Sequence, residues 1–107
     1  MITLEILAKE LNNIYPTAFY SWQMSGKPVP DFPYIIYLID KNNSFGADNK
    51  AYSKSSDCLV ELYTEYKQIY SEEKIENLFD KLEVFYQKSE NYIPDEKMYQ
   101  VCYEINF

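Results

Sequence analysis

The stretch that decides the fold is YIIYLID, residues 34–40, the most apolar run in the chain. It is rich in β-branched and aromatic side chains and too short for a helix, so it predicts a central strand covered on both faces. A second stretch, DCLVELYTEY at residues 57–66, alternates from Cys58 onward. One set would face the core: Cys58, Val60, Leu62 and Thr64. The other set would form an acidic, tyrosine-bearing outer face: Leu59, Glu61, Tyr63 and Glu65.

Three more strands are predicted on either side of these two. TAFYSWQM at residues 17–24 alternates small or polar with large apolar side chains. Two strand candidates flank the turn-forming residues 94–96, which begin with Pro94. The second of them, MYQVCYEINF at residues 98–107, alternates strictly. Its side chains from Tyr99 to Phe107 at every second position predict one apolar face.

Two amphipathic helices are predicted from three- and four-residue spacing. The first covers residues 4–15, with Thr3 as its N-cap and Pro16 ending it. The second begins after Ser71 as its N-cap, with acidic residues in its first turn. Its buried stripe would comprise Ile75, Leu78, Phe79, Leu82 and either Phe85 or Tyr86.

The order of elements is therefore α-β-β-β-α-β-β in one domain of 107 residues. Two helices and strands joined largely by hairpins indicate an α+β fold, in which a mostly antiparallel sheet of about five strands carries both helices on one face. A long polar hairpin or loop is predicted at residues 41–56, because that stretch lacks any hydrophobic period.

Charge and hydropathy exclude several classes of function. All ten basic residues are lysine, and 17 acidic residues leave a net charge of −7. Without arginine, a net-acidic chain is unsuited to binding nucleic acid or anionic lipid. No apolar run approaches the roughly 20 residues of a membrane span, and no secretion signal opens the chain. We therefore expect a soluble, cytoplasmic protein that binds neither nucleic acid nor membrane.

Catalytic chemistry is sparse in this sequence. Histidine is absent, which removes the commonest general base and metal ligand. Cys58 and Cys102 do not have the spacing of a zinc site or a redox motif, and we interpret them as buried reduced thiols. A disulfide between them is the alternative if their strands are neighbours. The Asp and Asn residues between Asp40 and Asp57 do not match a calcium loop. We expect no enzyme activity, no metal and no cofactor.

Twelve tyrosines and six phenylalanines favour a protein-binding role, since such side chains are enriched at interfaces. The outer sheet face supplies three candidates: Glu61, Tyr63 and Glu65. Three prolines between Pro28 and Pro33 make a rigid segment on which a partner could dock with little loss of entropy.

The sequence of elements resembles the small tail terminator or tail-to-head joining proteins of long-tailed bacteriophages and prophages of low-GC Gram-positive hosts. An N-terminal amphipathic helix is followed by YSW at residues 20–22 and FPYIIY at residues 32–37. After the polar stretch come VELYT at 60–64, the helical EKIENLF at 73–79 and the closing strand MYQVCYEI at 98–105. The likeness spans almost the whole chain and lies in the order of elements rather than in one motif.

The resemblance implies a protein that caps the growing tail tube as a ring, commonly a hexamer, and then joins the tail to the filled head. Its partners would be further copies of itself and other tail or head-connector proteins. It would reside in the host bacterial cytoplasm during assembly and afterwards in the virion neck. By position, the interaction candidates are Phe45 and Tyr52 in the polar hairpin, and Pro28, Pro30 and Phe32 in the proline segment.

Two alternatives stay open. One is an acidic, antitoxin-like adaptor or inhibitor that occupies a basic protein partner, which the charge of −7 favours. The other is an enzyme that uses carboxylates alone, for example Glu61 with Glu104 on adjacent strands, and that requires a cleft and a raised carboxyl pKa.

Overall fold

The computed structural model describes residues 2–39 and 57–107. Its elements in chain order are α1 (Leu4–Ile14), β1 (Thr17–Phe19), α2 (Trp22–Ser25), β2 (Tyr34–Ile39), β3 (Asp57–Thr64), α3 (Ile69–Lys81), β4 (Tyr86–Ile93), a 3₁₀ turn (Pro94–Glu96) and β5 (Met98–Asn106).

Among the described residues, the strands form one five-stranded sheet in the order β1-β2-β3-β5-β4. Only β1 and β2 pair in parallel, and the other three pairings are antiparallel. The predicted α+β fold with a mostly antiparallel sheet is confirmed. The short helix α2 is an addition to the predicted order of elements.

The main core lies between the sheet and the two long helices, α1 and α3. Its buried members come from both helices, from β2, β3 and β5, and from the segment after α3: Leu7, Leu11, Ile35, Cys58, Val60, Leu62, Ile75, Leu78, Phe79, Val84, Val101, Tyr103 and Ile105. The prediction that two helices pack on one face is confirmed. The first helix also begins as predicted, because the Thr3 hydroxyl accepts a hydrogen bond from the Ile6 backbone N–H.

The predicted strand at residues 17–24 is wrong beyond Phe19. Tyr20 adopts a left-handed backbone conformation with φ of 65°, which ends the strand. The Ser21 hydroxyl then accepts from the Met24 N–H and begins α2. Gly26 ends this helix with φ of 76°, a conformation that side chains rarely adopt. Alternation alone could not reveal this serine cap and glycine stop.

The predicted bounds of the second long helix are also wrong. Helix α3 begins at Ile69 after the N-cap residue Gln68, so Ser71 lies inside the helix, buried and bonded to the Tyr15 hydroxyl at 2.8 Å. The helix ends at Lys81, and Glu83 has φ of 57°. Neither Phe85 nor Tyr86 therefore belongs to the helical stripe.

The two cysteines lie on neighbouring strands but on opposite faces of the sheet. Cys58 pairs with Ile105 and points into the core, whereas Cys102 pairs with Glu61 on the outer face. They are not joined in a disulfide, and Cys102 is half-buried rather than buried as predicted. Burial raises the pKa of the Cys58 thiol to about 12.

Ion pairs join α3 to the edge strand β4. Lys88 Nζ lies 2.7 Å from Glu72 Oε1 and 2.7 Å from Glu76 Oε2. Lys67 Nζ lies 2.9 Å from the same Glu72 oxygen. The Tyr103 hydroxyl donates to Glu76 Oε2 at 2.8 Å. Since only 3% of the Glu72 side chain is exposed, the two lysines neutralise a carboxylate that is held inside the fold.

Candidate interaction surface

A second, smaller core lies on the outer sheet face, where α2 packs against β1, β2 and β3. Trp22 from α2 is buried there with Ala18, Tyr34 and Tyr63. Trp22 meets the Tyr34 ring edge-on, with centroids 5.8 Å apart. The helix α2 thus covers part of the sheet face that lies opposite α1 and α3.

Three aromatic rings stack in this region and end at the protein surface. Phe32 stacks on Tyr34 with centroids 5.5 Å apart and planes 10° apart. Tyr34 in turn stacks on Tyr63 at 5.2 Å. Phe32 is 39% exposed, so this outermost ring presents an apolar edge to solvent. The buried rings of Tyr34 and Tyr63 support it from below.

Polar contacts hold the bottom of the stack in place. The Tyr63 hydroxyl donates to Glu61 Oε1 at 2.9 Å and accepts from Gln100 Nε2 at 2.8 Å. The Tyr34 hydroxyl lies 3.8 Å from the Met98 sulfur. Burial and the neighbouring Glu61 charge raise the pKa of Tyr63. Burial likewise raises the pKa of Glu61, against the hydrogen bond from Tyr63.

A shallow groove of about 560 Å³ opens beside the exposed ring. The proline segment, the first residue of β2, the residue after β3, the 3₁₀ turn and the first residue of β5 line it. The lining side chains are apolar or acidic: Val29, Pro30, Asp31, Phe32, Tyr34, Glu65, Glu96 and Met98. Val29 is exposed as well. We call this surface the aromatic groove. Its walls suit an apolar segment of another protein, and its carboxylates favour neighbouring positive charge.

The structure brings together three of the interaction residues predicted from the sequence: Pro30, Phe32 and Glu65. Pro28 is exposed but does not belong to the lining. Phe45 and Tyr52 lie outside the described residues, as does the predicted hairpin at 41–56. Their role stays a prediction.

The predicted open, tyrosine-bearing outer face of β3 is wrong at Tyr63. That side chain is only 8% exposed, because α2 and Tyr34 cover it, and Glu61 is half-buried beside it. Of the three interaction candidates predicted on this face, only Glu65 is exposed. Tyr63 and Glu61 support the aromatic groove from below.

Sequence reasoning missed Tyr34 as part of the aromatic groove and Trp22 as part of the buried cluster that supports Tyr34. The sequence predicts that Tyr34 belongs to a strand covered on both faces. The structure buries Tyr34 together with Ile35, whereas residues 36–39 are half-buried. A usable signal was the FPY sequence at residues 32–34, which places two rings on either side of a proline. Trp22 had no such signal, since its position depends on α2.

The carboxylates of the enzyme alternative do share a face. Glu61 pairs with Cys102, and Glu104, two residues further along β5, pairs with Leu59. Glu104 lines a shallow groove with Leu59 and Cys102, whereas Glu61 is held by Tyr63. In residues 2–39 and 57–107, no group of three or more side chains of the His, Cys, Asp or Glu type could hold a metal ion.

Comparison of the chain with protein-family models, with curated proteins and with solved structures gave no match. Within the part of the chain that the structure describes, no helix is long and apolar enough to cross a membrane. The described residues form a small α+β fold, and the aromatic groove is its candidate interaction surface.

Proposed function

We propose that this chain is a structural assembly protein of a long-tailed phage, of the tail terminator or tail-to-head joining class that its sequence resembles. In this role it caps the tail tube as a ring of copies and joins the tail to the head. The observation that carries the proposal is the aromatic groove, in which Phe32 is exposed above two buried tyrosines. An apolar ring that is held in place before binding loses little entropy when a partner covers it.

The same surface supports a binding role without chemistry of its own. Buried, well-supported aromatic anchors dominate the energy of protein interfaces, and removing one typically costs 2 kcal/mol or more, on the order of thirtyfold in affinity. Val29 and Pro30 extend the apolar surface beside Phe32. A ring subunit needs such a patch, because each copy must hold its neighbour or the tube against dissociation.

Particle assembly tests this proposal. We expect Phe32→Ala to lower the yield of complete particles at least about tenfold when it replaces the natural gene in the phage genome, because the groove loses its anchor. Electron microscopy would then show heads and tails that are not joined. Tyr70→Ala is the matched control, since Tyr70 is an exposed aromatic residue on α3, in the helical layer. Equal yields from the Phe32→Ala and wild-type genes would contradict the proposal.

A second candidate function is the acidic adaptor that binds a basic protein. The carboxylates of Asp31, Glu65 and Glu96 in the groove lining favour it, and no described lysine belongs to that lining. An adaptor would bind its partner much more weakly at high salt, and its loss would leave particle yield unchanged.

A further inference from the structure

Phe85 is the most exposed large hydrophobic residue that the structure describes, with 93% of its surface accessible. It lies between the end of α3 and the start of β4. Val84 before it is buried and donates its backbone N–H to the Phe79 carbonyl at 3.0 Å, and Tyr86 after it is half-buried. Phe85 therefore lies between two residues that are turned toward the core, and its own ring is turned toward solvent.

Two grooves flank this ring. The first, of about 460 Å³, is lined by Phe79, Asp80, Glu83, Val84, Phe85 and Tyr86. The second, of about 510 Å³, is lined by Asp57, Phe85, Tyr86, Gln87, Glu104, Ile105 and Asn106. Phe85 belongs to both, so the ring and the grooves form one continuous surface with an apolar centre. We call it the Phe85 surface.

The Phe85 surface is separate from the aromatic groove. Asp57 begins β3 and Glu65 follows its end, so the two surfaces lie at opposite ends of that strand, about 26 Å apart along its axis. A partner bound at one surface would leave the other one open. The role of the Phe85 surface thus does not depend on either proposed function.

The charges around Phe85 indicate what covers it. Asp80 and Glu83 line the first groove, Asp57 and Glu104 line the second, and no described lysine lines either one. Neither Asp80 nor Glu83 forms an ion pair with a lysine of the described residues. A partner segment that carries lysine or arginine would therefore meet carboxylates in both grooves and no cation of the described lining. Charge complementarity therefore favours a basic partner.

We infer that the Phe85 surface binds a segment of another protein in which apolar side chains lie next to lysine or arginine. The apolar side chains cover Phe85 and enter the grooves, and the cations meet Asp80 and Glu83. An exposed phenylalanine with apolar grooves on both sides is typical of an interface centre, and acidic residues around it select the partner.

Binding of defined peptides tests this inference. The probe is a short fluorescent peptide in which lysine alternates with leucine, measured by anisotropy at low and high salt. Two comparison peptides replace lysine by glutamate, or leucine by serine. We expect only the lysine–leucine peptide to bind, with a dissociation constant below about 1 mM and weaker binding at high salt.

Variants assign the binding to this surface. Phe85→Ala should weaken it at least about tenfold, and Asp80→Asn with Glu83→Gln should weaken it and reduce its dependence on salt. Tyr70→Ala should bind as the wild type does. In addition, amide NMR shifts of the wild-type protein should move at residues 83–87 when the peptide is added, a result that needs no variant.

Three results would overturn the inference: no binding of the lysine–leucine peptide at about 1 mM, equal binding by wild type and Phe85→Ala, or amide shifts confined to other residues. A fourth is equally decisive. If Phe85→Ala converts an oligomer of this chain into a monomer, and the peptide fails to compete with that oligomer, the occupant is a second copy rather than a basic partner.

Discussion

Phe79→Ala is expected to lower the free energy of unfolding by about 3–5 kcal/mol, a large part of the 5–15 kcal/mol typical of a domain. Phe79 is fully buried between α3 and the sheet, and its ring lies 5.3 Å from Tyr103 and 5.4 Å from Tyr86 between centroids. Alanine would leave a cavity that these rings fill only in part. Urea unfolding followed by circular dichroism measures the loss as a lower transition midpoint.

Phe85→Ala is the matched control for this experiment. It removes the same side chain six residues further along, at a position that is 93% exposed, so the free energy of unfolding should change by less than about 0.5 kcal/mol. Equal losses for the two variants would show that Phe85 is packed in the core, and the assigned end of α3 at Lys81 would be wrong.

Lys88→Met is expected to lower the free energy of unfolding by about 2–3 kcal/mol, because it leaves the buried Glu72 carboxylate with Lys67 alone. Burial disfavours the charged form of Lys88, yet its hydrogen bonds to Glu72 and Glu76 outweigh that effect and raise its pKa above 10.5. A lysine whose pKa is raised in the folded state makes its full contribution to the free energy of unfolding at any pH below its unfolded pKa. The contribution is lost only as pH rises through the folded value, so unfolding at neutral pH measures all of it.

Two comparisons separate this buried pair from ordinary surface charge. Lys81→Met removes a lysine that is 70% exposed and 3.9 Å from Glu10, so it should cost about 0.5 kcal/mol or less. The double variant Glu72→Leu with Lys88→Met should be more stable than Lys88→Met alone, since it also removes the buried carboxylate that has lost one of its two lysines. A loss from Lys88→Met no larger than that from Lys81→Met would contradict the proposed role of the network.

The fold could be predicted where one hydrophobic period continues over many residues. Helix α1 has such a period and a threonine cap, and β3 and β5 alternate throughout, so their inward faces are as predicted. The errors occur where local backbone conformation decides. Tyr20 adopts a positive φ that ends β1, and Glu83 adopts a positive φ just after the end of α3. Neither tyrosine nor glutamate is a residue type that indicates this conformation.

The candidate surfaces were predictable only in part, because both depend on long-range packing. The sequence indicated a rigid segment with Phe32, since prolines restrict the chain whatever surrounds them. The sequence could not indicate that α2 would cover Tyr63. Because Tyr63 is covered, the exposed aromatic residue of this region is Phe32 in the proline segment rather than Tyr63 on β3. The prediction that Phe85 could belong to the buried helical stripe is wrong for a related reason. Its spacing continues that stripe, but the helix has already ended at Lys81.

Cryo-electron microscopy of the purified chain mixed with tail tubes tests the central claim, that this protein acts through contacts of the aromatic groove with other subunits. We expect a ring of copies at one end of each tube, with Phe32 and Val29 covered by a neighbouring subunit or by the tube. Bare tube ends, or a ring in which the groove faces solvent, would contradict it.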